Sequence, residues 1–87
     1  MLAGMPPVTY FVALPFVRLE DGTLAPGEAK ECHSRVAAVV AATKLAAQNV
    51  GALAFSRSGD PSTGDFEDAV VIQKFGEVPE DLSALWN

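Results

Sequence analysis

Cysteine and histidine each occur once in this 87-residue chain, side by side at Cys32 and His33. A cysteine is a nucleophile as its thiolate, and a neighbouring imidazolium or helix N-terminus favours that form. Both residues precede a predicted helix, so the location suits such chemistry. Adjacent strand residues point to opposite faces, however, so we expect the two side chains not to meet. The sequence predicts no catalytic residue here and favours a buried Cys32.

A second polar cluster, Ser56-Arg57-Ser58-Gly59, follows an apolar strand. Arg57 and the backbone N–H groups around Gly59 are suited to holding an anion. Gly59 and Gly64 have the spacing of a phosphate-binding loop, but the lysine and hydroxyl residue that such a loop requires are missing. We therefore predict a weak ligand-binding site at these four residues. The alternative is that Arg57 pairs with an acid of its own loop.

Acidic residues cluster just beyond, at Asp60, Asp65, Glu67 and Asp68. Oxygen ligands suit calcium, but the positions of Ser62 and Gly64 break the register of a calcium-binding loop. One cysteine and one histidine also cannot complete a four-ligand zinc site or a disulfide. We predict neither a metal nor a cofactor, and interpret the acids as a solvated loop.

The charge of the chain is acidic and uneven. Six Lys and Arg residues oppose eleven Asp and Glu, a formal net charge of −5. Residues 57–87 carry two basic and seven acidic residues and thus all of the excess. This balance argues against nucleic-acid binding, and either attracts a basic partner or keeps the domain in solution. No apolar run is long enough for a membrane span, and no basic residue precedes Arg18, so we expect a cytoplasmic protein.

The elements that position these residues begin with a predicted strand over residues 8–19, rich in β-branched and aromatic residues. Both of its faces are apolar, and Pro15 indicates an edge or a bulge. Asp21-Gly22 and Pro26-Gly27 predict turns, and residues 28–33 a second strand that forms a hairpin with the first. If the helix packs on the face of this strand that carries Tyr10 and Val12, Phe11 and Ala13 on the other face would be exposed.

Residues 52–57 and 69–75 predict two more strands, joined by a turn-rich loop over 58–66. Pro79 and the acids after it predict a short terminal helix with Leu82, Leu85 and Trp86 on one side. The element order is β-β-α-β-β. We predict a two-layer α+β sandwich with one long helix on a mainly antiparallel sheet. The domain covers residues 8–78, between an N-terminal arm (1–7) and an amphipathic C-terminal segment (79–87).

The predicted helix runs from Ser34, a suitable N-cap, to Val50, with Gly51 at the C′ position. We expect one stripe to face the core, formed by Val36, Val39, Val40, Thr43, Ala47 and Val50. The opposite face is also weakly polar, and its small residues permit a second packed surface. We predict an interface there, formed by Ala38, Ala41, Ala42 and Leu45 together with Leu82, Leu85 and Trp86.

A core of this size is marginal, since small domains bury a lower fraction of their surface. We therefore expect a non-catalytic domain that acts through protein–protein contact, as a homodimer or with another protein. The alternative is a small-ligand or anion-binding domain that uses the Ser56–Gly59 cluster, with weak hydrolytic activity through Cys32 or His33.

Overall fold

The computed structural model describes residues 7–82. It is a mixed α+β fold in which one helix lies on a curled antiparallel sheet of six strands. The elements are β1 (Val8–Arg18), β2 (Leu24–Pro26), β3 (Lys30–Cys32), α1 (Arg35–Gln48), β4 (Gly51–Asp60), β5 (Asp65–Phe66) and β6 (Val70–Gly76). The α+β class is confirmed. The order is β-β-β-α-β-β-β because each predicted hairpin contains an additional short strand, and the described residues do not show the predicted two-layer sandwich.

The centre of the sheet is the antiparallel pair β1 and β4, in register from Val8 opposite Gly59 to Phe16 opposite Gly51. The outer edge of β1 pairs with β2 and β3. The outer edge of β4 pairs with β5 and β6. The two long strands therefore carry the short ones, and every neighbouring pair is antiparallel.

Pro15 lies in a central strand and not at an edge. On the outer side of β1, β3 pairs with residues 11–13 and β2 with residues 16–18, so the proline falls in the gap between them. There the N–H of Gly27 donates to the carbonyl of Pro15 at 2.8 Å. A residue without an N–H donor is tolerated at this interruption of the ladder.

The predicted turn at Asp21-Gly22 is confirmed. Gly22 has φ +89°, a left-handed conformation in which glycine is favoured. The Asp21 carboxylate accepts from the backbone N–H of Thr23 at 3.0 Å and from its hydroxyl at 2.7 Å. An aspartate that bonds to the backbone two residues ahead is characteristic of such turns.

The start of α1 is confirmed, but its end differs from the prediction. Ser34 is the N-cap, and its hydroxyl accepts from the N–H of Ala37 at 3.0 Å. The helix ends at Gln48 with Asn49 as the C-cap. Gly51 begins β4, where an added Cβ would collide with the backbone of Glu77. Among residues 7–82, no helix is both long and apolar enough to cross a bilayer.

The helix face that packs on the sheet is the alanine face. Of the six residues predicted to face the core, Val39 and Val50 pack against core clusters, but the prediction is wrong for Val36, Val40, Thr43 and Ala47, which are exposed. Ala38, Ala41 and Ala42 are buried and pack against alanines of β1 and β4, namely Ala13, Ala52 and Ala54. Larger side chains, Phe11, Val39, Leu45, Ile72 and Phe75, surround this centre. Small residues on both elements let the helix approach the sheet closely and keep dispersion contacts dense.

This packing also reverses the predicted faces of β1. Phe11 and Ala13 belong to the helix side, whereas Leu14 and Phe16 lie in a second cluster with Leu53 and Leu82. The segment after β6 covers that cluster. It is held at Glu77, whose N–H donates to the carbonyl of Val50 at 3.0 Å and whose carboxylate pairs with Arg18.

The C-terminal segment is described only as far as Leu82. Residues 79–82 are not helical, and Leu82 is buried against the chain's own sheet. Leu85 and Trp86, which complete the predicted terminal helix, lie outside the described residues.

Candidate functional site

A pocket of about 310 Å³ opens between β3 and α1. Its lining combines the thiol and the imidazole with two lysines over an apolar helix surface. The lining residues are Lys30, Glu31, Cys32, His33, Ala37, Val40, Ala41 and Lys44. The chain's only cysteine and histidine therefore border the same cavity, even though adjacent strand residues are expected to point to opposite faces.

The register of β3 determines which of its side chains face the helix. Lys30 is opposite Ala13 and Cys32 is opposite Phe11, and both partners belong to the helix-side cluster. Side chains alternate along a strand, so the intervening Glu31 points to the other face. Cys32 is half-buried, and its thiol donates to the carbonyl of Lys30 at 3.6 Å.

The Ser56–Gly59 cluster is part of strand β4 and not of a loop, which corrects the predicted start of the loop at residue 58. Ser58 is opposite Thr9, and the two hydroxyls are 2.7 Å apart. Gly59 is paired on both sides, with β1 at Val8 and with β5 at Phe66. The structure therefore distributes these residues over both faces of a paired strand, and it does not gather them around an open loop.

Arg57 stabilises the connection that follows β5. Its Nε donates to the carbonyl of Glu67 at 3.0 Å, and its guanidinium lies 5.6 Å from the centre of the Phe66 ring. The Phe66 ring is in turn 6.1 Å from the ring of Tyr10. A cation over an aromatic face is a favourable contact. These contacts favour a structural role for Arg57 over anion binding.

The acidic residues of this connection do not form a metal centre. The carboxylate of Asp60 accepts from the N–H of Ser62 at 2.9 Å and from its hydroxyl at 2.6 Å. These bonds hold the pKa of Asp60 below its ordinary value, and the bond from the Ser62 hydroxyl contributes most to this effect. Within residues 7–82, no group of three His, Cys, Asp or Glu side chains is placed to hold a metal ion.

The solvent side of α1 carries an uncharged stripe, formed by Val36, Val40, Thr43 and Ala47. All four residues are exposed, Val36 by 71% and Val40 by 48%. At 3.6 residues per turn they fall within about 60° of arc. The Thr43 hydroxyl donates to the carbonyl of Val39 at 2.8 Å, so the hydroxyl has a hydrogen-bond partner within the helix.

We call these four residues the valine stripe. The sequence predicts that these four residues, together with Val39 and Val50, face the core. Of the residues predicted to form an interface, Ala38, Ala41 and Ala42 are buried in the chain's own core, and Leu45 is partly buried beside them. The exposed apolar surface of α1 is therefore on the opposite side of the helix from the one predicted.

Comparison with protein families, with curated proteins and with solved structures finds no match for this chain.

Proposed function

We propose that this protein is a non-catalytic domain that works through protein–protein contact, and that it forms a homodimer through the valine stripe. The observation that carries the proposal is the exposure of Val36 and Val40 on a helix whose other apolar face is already packed. A helix on the surface of a monomer normally presents charged and polar residues to water. Here the outward stripe carries no charge, and Arg35 and Lys44 are the only charged residues of the helix.

The distribution of sizes along the stripe favours a second copy as the partner. Two valines occupy its N-terminal half, and the smaller Thr43 and Ala47 occupy its C-terminal half. In an antiparallel pair of helices about a two-fold axis, Val36 of one copy faces Ala47 of the other, and Val40 faces Thr43. A symmetric interface must be self-complementary in this way.

The same pairing sets the approach of the basic residues. The helical repeat places Arg35 on one flank of the stripe, and Lys44 and Gln48 on the other. A two-fold axis brings each flank beside the same flank of the partner, so the Lys44 residues of the two copies lie on one side of the contact. Their mutual repulsion weakens the dimer and should be screened by salt.

The expected dimer is weak. Complete burial of a valine side chain contributes about 1.5–3 kcal/mol, and four partly exposed valines would be covered in the pair. Association costs about 4–15 kcal/mol in lost freedom of motion. These magnitudes are similar, so we expect an equilibrium between monomer and dimer that depends on concentration.

Sedimentation velocity on Val36→Glu tests the proposal. The new carboxylate lies in the first turn of α1, where the helix dipole favours negative charge, so folding is preserved. We expect the sedimentation coefficient of the wild type to rise with concentration into the high micromolar range, and that of Val36→Glu to stay at the monomer value. Leu19→Glu is the matched control, since Leu19 is 49% exposed and lies off the helix. A wild type that stays monomeric, or a control that dissociates equally, contradicts the proposal.

Disulfide trapping tests the antiparallel arrangement. In a Cys32→Ser background, Val36→Cys and Ala47→Cys are oxidised separately and as an equal mixture. The two positions are about 16 Å apart along the helix, so we expect covalent dimers from the mixture and few from either variant alone. Equally rapid cross-linking of Val36→Cys alone contradicts the antiparallel pairing.

A further inference from the structure

We propose that the pocket between β3 and α1 binds a small organic anion, namely a carboxylate attached to a short apolar body. The cavity lies within one copy of the chain, but it shares Val40 with the valine stripe, so a second copy on the stripe would cover one edge of the pocket. The pocket volume of about 310 Å³ lies at the lower end of the range of small-ligand sites, about 300–1,000 Å³.

The charges that face the pocket favour an anion. Lys30 extends from β3 on the helix side, and Lys44 lines the same cavity from α1. Glu31 also borders the pocket, but the alternation of the strand directs its side chain to the other face. Two lysines therefore line one cavity of a chain whose net charge is −5.

The remainder of the lining favours an apolar body on that anion. Ala37, Val40 and Ala41 contribute aliphatic surface from the helix. A ligand site of this type is mostly apolar, with a few polar groups that fix the orientation of the ligand. A simple inorganic anion would contact the lysines but leave this aliphatic surface uncovered.

Cys32 provides a direct readout of occupancy. It is the only thiol of the chain and lines the pocket, so alkylation by the neutral reagent iodoacetamide reports on this site alone. We measure the alkylation rate against increasing hexanoate, with hexanol and hexylamine as probes of equal length. We expect hexanoate to slow alkylation to a saturating limit, and the other two probes to require several-fold higher concentrations.

Substitution of the two pocket lysines tests whether hexanoate binds in this pocket. Lys30→Met and Lys44→Met remove the charge while keeping most of the aliphatic side chain, and Lys74→Met removes an exposed lysine of β6 as the matched control. At low ionic strength we expect each pocket variant to weaken protection about two- to fivefold, the range of a solvent-exposed charge pair, and the control to match the wild type.

Three results would overturn this inference. The first is the absence of saturable protection by hexanoate in the wild type. The second is protection by hexylamine equal to that by hexanoate. The third is a loss of hexanoate protection in Lys74→Met as large as in the pocket variants. Repeating the titration with Val36→Glu, whose substitution lies outside the pocket lining, distinguishes ligand protection from protection by a second copy.

Discussion

The ring of Phe66 lies against the backbone of Gly59, where a Cβ atom would collide with the ring and would come within 2.5 Å of the carbonyl oxygen of Asp65. Glycine is therefore required at residue 59 for space and not for a turn. We expect Gly59→Ala to destabilise the fold by about 1–3 kcal/mol, as overpacking does, measured by urea unfolding. In the double variant with Phe66→Ala, part of that loss should be recovered. Full additivity of the two changes would contradict the contact.

Substitutions at two residues of α1 test which face of the helix is packed. Ala42 is 0% exposed and Val40 is 48% exposed. Ala42→Glu would bury an unpaired carboxylate against the sheet, so we expect a loss of several kcal/mol or an unfolded chain. Val40→Glu should change the free energy of unfolding of the monomer by less than about 0.5 kcal/mol. Circular dichroism with urea measures both, and equal losses would contradict the observed orientation.

The sequence predicts the existence and the start of α1 because Ser34 is a local signal that acts on the first turn. It does not predict which face packs, because α1 is weakly polar on all sides and hydrophobicity alone does not distinguish its faces. The decisive factor is complementarity to a strand surface built from Ala13, Ala52 and Ala54, and that surface forms only when β1 and β4 pair.

The candidate site is also only partly predictable from the sequence. Residues 58–60 have turn-forming types, yet they continue β4 because β1 pairs with residues 58 and 59 and β5 pairs with residues 59 and 60. The pocket combines residues 30–33 with residues 37–44, and only the packing of β3 beside α1 brings these segments together. Arg57 was identified from the sequence, but its partner Phe66 belongs to a two-residue strand that local patterns do not predict.

Leu82 connects the C-terminal segment to the core. It is buried in the cluster that contains Phe16 and Leu53, on the sheet face away from the helix. We expect Leu82→Ala to destabilise the protein by about 2–5 kcal/mol, through lost burial and the cavity left behind. Val70→Ala, at an exposed residue of β6, is the control and should change stability by less than about 0.5 kcal/mol. Similar unfolding midpoints for both variants would show that the segment does not stabilise the fold.

Two turn aspartates should make the stability of the protein sensitive to acid. Hydrogen bonds from Thr23 lower the pKa of Asp21 below its ordinary value of 3.8, and bonds from Ser62 do the same for Asp60. Their stabilising contribution is therefore complete above 3.8 and is lost as the pH falls through the lower pKa values of the folded state. Asparagine keeps the acceptor oxygen of these turns but does not titrate.

We therefore expect the double variant Asp21→Asn/Asp60→Asn to lose less stability than the wild type between about pH 6 and about pH 3. The free energy of urea unfolding, followed by circular dichroism across this range, measures the difference. The other carboxylates are present in both proteins, so their contributions cancel in the comparison. Asp68→Asn controls for the removal of a negative charge from an exposed residue. Parallel stability curves for the wild type and the double variant would mean that the two turn carboxylates make no contribution to acid sensitivity.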